Sequence, residues 1–455
     1  MFDLIVLGGG PAGYLAAERA GRAGMNVAVV EERSLGGVCL NEGCIPTKTL
    51  LYSAKLYDGA RNGQKYGVTA NDIQLDHAQV VKRKDKVVRS LVAGVKAQMK
   101  AHKVTVVSAR GVIAGKTPQG FEVKAGDQVL AGKRLLITTG SVPAVPPIPG
   151  LKEGLERGFV MTNREILTLT EKPERLTIIG GGVIGLEFAG YFNSIGTQVT
   201  VVEMLDHIAG ETDRDLTNLF QKDMQSRGVV FELGARVTGV GEGDVRFERE
   251  GKEHTVPADK VLLSIGRRPN TRDIGLEAIG VYLERGAVVT DDHMRTNIPE
   301  VYAAGDVNGR SMLAHTAYRE AEVAVNHMLG VRDAMRYNAI PAVIYTNPEI
   351  ASVGETEATA QAKGLPFKAV QLPMQYSGRY QAENEGGRGI MKLLVDTRSE
   401  QVLGVHVLAN HSSEFIVAAA SYVELGLTLD QIKRLVFPHP TVAEIIREAV
   451  FQYEP

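Results

Sequence analysis

The chain has 455 residues, 44% of them apolar and 23% charged, with a formal net charge of -2 and 50 glycines. That length exceeds what one hydrophobic core serves, so about two to four domains are expected. The near-neutral charge offers no field to draw nucleic acid or an anionic lipid surface, and no uncharged apolar run of about 18 residues is present, which excludes a membrane-spanning helix.

The N-terminus, MFDLIVLGGG, has neither a basic segment nor a cleavage site, so the chain reads as cytoplasmic. Phe2 to Leu7 reads as a buried strand running into GGGPAG and then the helical stretch YLAAERAGRAG. Here Gly8 permits a tight turn, Gly10 lets the backbone approach a pyrophosphate and Gly13 lets helix pack on strand, with the helix N-terminus facing the phosphates. A second strand, NVAVV, ends at Glu31, whose carboxylate can hydrogen-bond a ribose hydroxyl.

Both cysteines follow, in GGVCLNEGCIPTK, Gly36 to Lys48, with four residues between them. In the cytosol such a pair signals redox chemistry or metal, and metal is disfavoured because no further Cys or His pair lies nearby. The polar and glycine neighbours predict a turn at the surface or at a ligand. After Cys44 a helical pattern, IPTKTLLYSAKLYDGA, opens with Pro46 near its first turn, which puts Cys44 near a helix N-terminus where the dipole favours a thiolate. Lys48 falls one turn further on, either supporting that thiolate or simply solvated. The basic run KRKDKVVR, Lys82 to Arg89, is read as the solvated side of a helix, since Val81, Val88, Val92, Val95 and Met99 share one face.

RLLITTGS ends as a strand opening onto Gly140 and Ser141, and the proline-rich VPAVPPIPG marks a domain crossing. The glycine fingerprint then returns from Leu176 to Glu203: strand LTIIG, Gly180, Gly182 and Gly185 in GGGVIG, helix LEFAGYFNSIG and strand QVTVVE. An interval of 18 residues separates Gly13 from Glu31 and Gly185 from Glu203 alike. One copy could be an ordinary glycine turn; two copies with matched strands, helices and acids point to dinucleotide folds, one for a flavin and one for a nicotinamide. Met204, Leu205 and Asp206 supply no Arg for a 2′-phosphate, which favours NAD over NADP.

VYAAGD ends at Asp306, where N-cap of the helix in AHTAYREAEVAVNHML and ligand contact stand as equal alternatives. EFIVAAASYVEL, from Glu414, is apolar enough for a core or dimer helix. FPHPTVAEIIREA sets His439 in a proline-framed turn and Glu444 one turn into the next helix. Alone, such a histidine is a turn residue; paired with a carboxylate it becomes a base working near neutrality.

GGGPAG with Glu31, GGVCLNEGCIPTK, GGGVIGLE with Glu203, GRRPN (Gly266 to Asn270), VYAAGD with MLAH (Met312 to His315) and HPTVAE together carry a likeness from Phe2 to about Ala449. The chain resembles the flavoprotein pyridine nucleotide-disulfide reductase family, and within it the dihydrolipoamide dehydrogenases, of which CLNxGCIPxK is the most diagnostic form. The resemblance implies an α/β fold with two Rossmann-like dinucleotide-binding domains, for FAD and NAD, and a C-terminal α+β dimerisation domain. The implied division is 1–145 for FAD, 146–270 for NAD, 271–338 returning to the FAD side and 339–455 for the interface. The implied reaction oxidises protein-bound dihydrolipoyl groups to lipoyl groups with NAD as acceptor.

Residue by residue, the resemblance makes Cys39 the interchange thiol and Cys44 the charge-transfer thiol of a redox-active disulfide. It makes His439, backed by Glu444, the base that reaches Cys39 of the other subunit in a homodimer. Beside the glycines and acids of the fingerprints it assigns to the cofactors Lys48, which pairs with Glu187, and Gly111, Thr139, Gly140, Ser141, Asp306, Met312, Leu313, Ala314, His315, Val237 and Gly266. Partners implied are lipoyl-bearing proteins of 2-oxo acid dehydrogenase or glycine cleavage complexes, with no nucleic acid, membrane or metal. An NADH-driven reductase of another small disulfide is the rival enzyme; a flavoprotein serving only as a binding module would need neither the cysteine pair nor His439 with Glu444. The chain departs from the family at Val38 and Glu42, where Thr and Val are frequent, and at Phe437 and Pro438, where His and Ala are. Glu42 adds a negative charge that opposes thiolate formation.

Overall fold

Leu4–Leu7 (β1) and Val27–Glu31 (β2) are apolar at nearly every position, so both faces of each strand need cover, which a parallel sheet under helices supplies. The computed structural model describes residues 1–454 and divides the chain into two units. The first comprises Met1–Thr49, Gln79–Ala144 and Gly266–Arg336; the second comprises Leu50–Ala78, Val145–Ile265 and the chain from Tyr337 onward.

In the first unit β1 lies at the middle of a five-stranded sheet, between β2 and Leu135–Ile137, with Thr105–Ser108 and Val301–Ala303 at the edges, all parallel. The strand order reverses direction at β1, and the loop after it carries the glycines, the position where parallel sheets open a crevice for ligands. Helix Pro11–Arg22 (α1) follows, with Pro11 in its first turn and Ala12, Gly13, Ala16, Ala17 and Ala20 buried, a face of small residues that lets it lie close to the sheet. An antiparallel sheet of Gly111–Thr117, Gly120–Ala125 and Gln128–Gly132 adds Ile113, Phe121 and Val123 to the core beneath β1.

The second unit repeats the plan. Arg175–Ile179 sits between Gln198–Val202 and Lys260–Leu263, with Val230–Glu232 and Val160–Met161 at the edges, again all parallel. The same unit holds a five-stranded antiparallel sheet, from Ala342–Ile344 at one edge to Phe367–Pro373 at the other. Its core includes Met391, Leu393, Val405 and Val407 together with Ile416 and Ala419 of helix Ser412–Leu425 and Ile445 and Ile446 of helix Glu444–Gln452. The apolar stretch from Glu414 thus covers this sheet with one face, and it leaves Val417 exposed on the other. Among the described residues no helix is long and apolar enough to cross a membrane.

The basic run lies on helix His77–Ala101, where Lys82, Lys86 and Arg89 are exposed as the apolar periodicity predicts. Lys84 is the exception: it is 4% exposed and its Nζ meets Asp85 Oδ1 at 2.6 Å. Position 84 falls three residues after Val81 and four before Val88, so the buried stripe runs through it.

Lys392, on strand Ile390–Asp396, is buried and its ammonium touches three carboxylates: Asp213 at 2.9 Å, Asp215 at 2.6 Å and Glu357 at 2.6 Å. Burial alone would lower its pKa, but hydrogen bonds to Asp215, Glu357 and Asp213 overcome that and raise it. Asp213 also caps helix Arg214–Ser226, so one cation fastens a dinucleotide-type helix to the antiparallel sheet. Lys392→Met leaves these carboxylates without a cation. It is expected to lower stability by about 3–5 kcal/mol in urea unfolding, whereas Lys152→Met, at a surface pair, changes it by less than about 1 kcal/mol.

Candidate active site

After β2 the chain turns through Ser34–Gly37, where Gly36 and Gly37 have φ of 97° and 57°, values that favour glycine. The Gly36 amide donates to the Gly9 carbonyl at 2.8 Å, and a Cβ on Gly37 would collide with the Gly10 Cα. The cysteine segment therefore lies backbone to backbone on the first glycine loop. Cys39 is on a short helix, Gly37–Glu42 (α2), rather than in the turn its neighbours predict. Asn41 explains the difference: its side-chain amide donates to the carbonyls of Leu35 at 3.1 Å and Gly37 at 2.9 Å, holding the loop in a helical turn.

Gly43 ends α2, and Cys44 begins helix Cys44–Arg61 (α3). A Cβ at Gly43 would stand 3.1 Å from the Val38 carbonyl oxygen and 3.6 Å from the Cys39 Cα, so its bare Cα is what lets the chain fold Cys44 back onto Cys39. The two cysteines form a disulfide with Cα atoms 4.7 Å apart, and both are half-buried. Glu42 is paired with Arg33, Nη1 to Oε1 2.6 Å, so the negative charge that the sequence places beside the sulfurs has a counter-ion.

The two fingerprints have the same atomic construction. Gly8 and Gly180 both have φ of 103°, and a Cβ on Gly13 or Gly185 would overlap the carbonyl oxygen of Gly8 or Gly180 respectively. Glu31 accepts from the Gly9 amide at 2.7 Å and Glu203 from the Gly181 amide at 2.6 Å, which places each acid at the loop. Above Gly10 a Cβ would find only Gly37 Cα at 3.8 Å, and above Gly182 nothing within 4 Å. Each loop is thus an open cradle at a helix N-terminus that fits a pyrophosphate. Thr138 and Ser264, which the sequence reading passed over, complete the match. The Thr138 hydroxyl donates to Leu7 and Gly8 carbonyls, and the Ser264 hydroxyl to those of Ile179 and Gly180. A signal existed: each stands at the end of an apolar strand just before a second glycine turn. Beyond Glu203, Arg214 reaches back to Asp206 at 3.1 Å, a cation that the local reading of Met204 to Asp206 does not find.

Asp306 begins a 3-10 turn, Asp306–Asn308, and the helix Ala314–Met328 is capped at Leu313, so Asp306 is not its N-cap. Its carboxylate instead accepts from Ser141 Oγ at 2.5 Å. Arg267, of GRRPN, donates to both Ser141 Oγ and Ser141 O at 2.7 Å, a contact across 126 residues that sequence reasoning missed. Thr139 Oγ1 donates to Asn270 O at 2.7 Å and the Asn270 amide to Gly140 O at 2.9 Å, so GRRPN clasps the whole 139–141 segment. Gly266 starts that segment with φ of 112°. Met312, Leu313 and Ala314 are half-buried and His315 is exposed. Gly111 packs where a Cβ would strike Leu7 and Val30, and Val237 packs against Val202, Ala235 and Phe247.

Lys48 lies on α3 in the first unit. Glu187 lies in the second, on helix Val183–Ser194, where its Oε1 accepts from the Tyr345 amide at 3.0 Å. Also in the second unit, His439 Nδ1 meets Glu444 Oε1 at 2.8 Å. Glu444 is the first residue of its helix rather than one turn in, and its other oxygen accepts from the Thr441 amide at 2.8 Å. Burial opposes ionisation of Glu444, but the Thr441 amide and His439 more than offset it and hold the carboxyl below its ordinary value. An ionised Glu444 accepts a hydrogen bond from Nδ1–H, which leaves Nε2 as the basic nitrogen of an imidazole that is 77% exposed.

Residues 2–321 match the family described as Pyridine nucleotide-disulphide oxidoreductase, and residues 340–450 match that family's dimerisation domain. The dihydrolipoyl dehydrogenase of Cupriavidus necator is 37% identical over 464 aligned residues, covering 98% of this chain and 97% of its own. That of Mycoplasma pneumoniae is 38% identical, with the same 98% and 97% covered. Among solved structures, LpdA of Mycobacterium tuberculosis superposes with a TM-score of 0.90 at 28% identity over 99% of both chains. The HOCl-induced flavoprotein disulfide reductase RclA of Escherichia coli gives 0.87 at 27% identity, over 99% of this chain and all of that one.

The cradle geometry gives a direct test. Gly185→Ala is expected to weaken NAD binding at least about tenfold in calorimetry, because the new Cβ must displace the Gly180 carbonyl. Gly190→Ala, on the same helix with nothing within 4 Å, is expected to leave affinity unchanged.

Proposed function

The chain belongs to the pyridine nucleotide-disulphide oxidoreductase family, and on that premise we propose that it oxidises protein-bound dihydrolipoyl groups to lipoyl groups with NAD as acceptor. The observation that carries this reading is the Cys39–Cys44 disulfide held backbone to backbone on a dinucleotide loop. The glycines of the first fingerprint, Glu31 and the Ser141–Asp306 pair would hold FAD, and those of the second fingerprint with Glu203 would hold NAD. When bound, FAD supplies the two-electron relay between sulfur and nicotinamide. On this reading the chain divides into an FAD domain over 1–145, an NAD domain over 146–270, a return over 271–338 and an interface domain over 339–455. The enzyme works in the cytoplasm as a homodimer and takes its substrate from lipoyl-bearing proteins of 2-oxo acid dehydrogenase or glycine cleavage complexes.

In the proposed cycle His439 of one subunit takes a proton from the substrate dithiol, and the thiolate so formed attacks Cys39 Sγ of the other. The Cys39–Cys44 bond breaks and Cys44 leaves as a thiolate, stabilised by the N-terminal end of α3. The second substrate thiol, losing its proton, displaces Cys39 and closes the product disulfide. Cys39 is left as a thiol and the electron pair rests on Cys44. Glu444 holds the imidazole tautomer throughout. Its folded carboxyl titrates below its unfolded value of 4.5, so this contact is fully present above that pH and is lost only as acidification passes the lower folded value.

Purified enzyme is expected to reduce NAD with dihydrolipoamide, followed as NADH absorbance. Cys39→Ser should abolish turnover, and full activity in that variant would remove the exchange step. His439→Gln should slow it by about 100- to 10,000-fold, the range for loss of a positioned base. Glu444→Gln should lose less, since the imidazole stays while its orientation relaxes.

A further inference from the structure

Glu42 stands at the last position of α2, three residues after Cys39 and two before Cys44. The C-terminal end of a helix is a poor place for a carboxylate, and this one is only 14% exposed, so water alone does not screen it. Arg33 answers it at 2.6 Å. The main chain that carries the arginine is fixed, since its own amide donates to Glu31 Oε1 at 2.7 Å and the next amide, of Ser34, to the same oxygen at 3.1 Å. The acid that closes the dinucleotide loop therefore also fixes the backbone that carries the cation paired with Glu42, the charge lying between the two cysteines in sequence.

We infer that the Arg33–Glu42 ion pair sets the dithiol–disulfide poise of Cys39 and Cys44, with Arg33 as a positioning residue acting through Glu42. The inference rests on the function proposed above, in which this disulfide is the working couple. Reduction by a dithiol reagent converts the disulfide to one Cys39 thiol and one Cys44 thiolate, oxidises the reagent to its disulfide and releases one proton. The product carries a new negative charge on sulfur and the oxidised form does not. A bare Glu42 carboxylate disfavours only the reduced side, and Arg33 cancels that bias. Lys48, one helical turn beyond Cys44 on α3, is a second cation near the sulfurs in sequence, and it is present in every variant compared.

The test equilibrates purified holoenzyme with graded ratios of reduced to oxidised dithiothreitol at neutral pH. The samples are then acid-quenched, alkylated, and the Cys39 and Cys44 thiols counted by mass spectrometry. Arg33→Gln is expected to lower the equilibrium constant for reduction by about three- to tenfold, and Glu42→Gln to raise it by a similar factor. Arg33→Lys and the double variant Arg33→Gln/Glu42→Gln should both stay within about twofold of wild type, since each keeps the local charge balanced. Molar salt should shrink the Arg33→Gln effect, because Arg33 is half-exposed. An unchanged constant in Arg33→Gln overturns the inference, as does a double variant displaced as far as Arg33→Gln, which would mean that Arg33 only braces the helix. If the wild-type sulfurs never convert reversibly, the function proposed above falls and this inference with it.

Discussion

Two pairs of glycines, Gly9–Gly10 and Gly36–Gly37, lie against each other with no side chain between, and the position of the redox sulfurs depends on that contact. β1 delivers the first pair at the crevice of a parallel sheet; β2, ending at Glu31, delivers the second. A Cβ on Gly37 would push the loops apart and carry α2 with it. Close backbone approach thus does here what a covalent tether might otherwise do: it makes the disulfide a fixed feature of the dinucleotide loop.

The duplication shows how one local solution serves two tasks. Up to the acid, the copies agree in glycine conformation, in carboxylate-to-amide bond and in the hydroxyl that braces the turn from the neighbouring strand. They part immediately afterwards. Past Glu31 the chain enters the cysteine helix, whereas past Glu203 it makes an exposed loop in which Asp206 holds His207 and Arg214. The shared part is what any pyrophosphate requires; the divergent part is where chemistry is added.

What could be read in the sequence was what is local. Strand, glycine turn, helix and acid follow within about 30 residues of one another, and each step has its own residue signature. The proximity of Cys39 and Cys44 was legible for the same reason. The helical state of the segment between them was not, because it comes from Asn41 bonding back to carbonyls that periodicity does not address. Lys84 misled because a charged residue was assigned by type rather than by its place in the stripe. For Asp306 spacing leaves cap and ligand contact as equal alternatives, and only the separate 3-10 turn before the helix removes the cap. The Arg267–Ser141 contact and the Lys392 cluster join residues 126 and 179 apart, and no pattern within one element encodes them.

His439 presents the opposite case, a site residue whose local geometry is complete and whose surroundings are not. Its carboxylate partner, tautomer and turn are all settled within six residues. Yet the proposed base is 77% exposed, and the same unit presents Val417, Leu425 and Val436 to solvent at 62%, 70% and 97%. A partner chain that covered them would take that apolar surface out of water. A homodimer, to which the match with the dimerisation domain points, would answer both observations at once: the second chain would cover those side chains and, in the cycle proposed above, would present the disulfide that the thiolate generated by His439 attacks, so association and catalysis would become a single requirement on the C-terminal sheet.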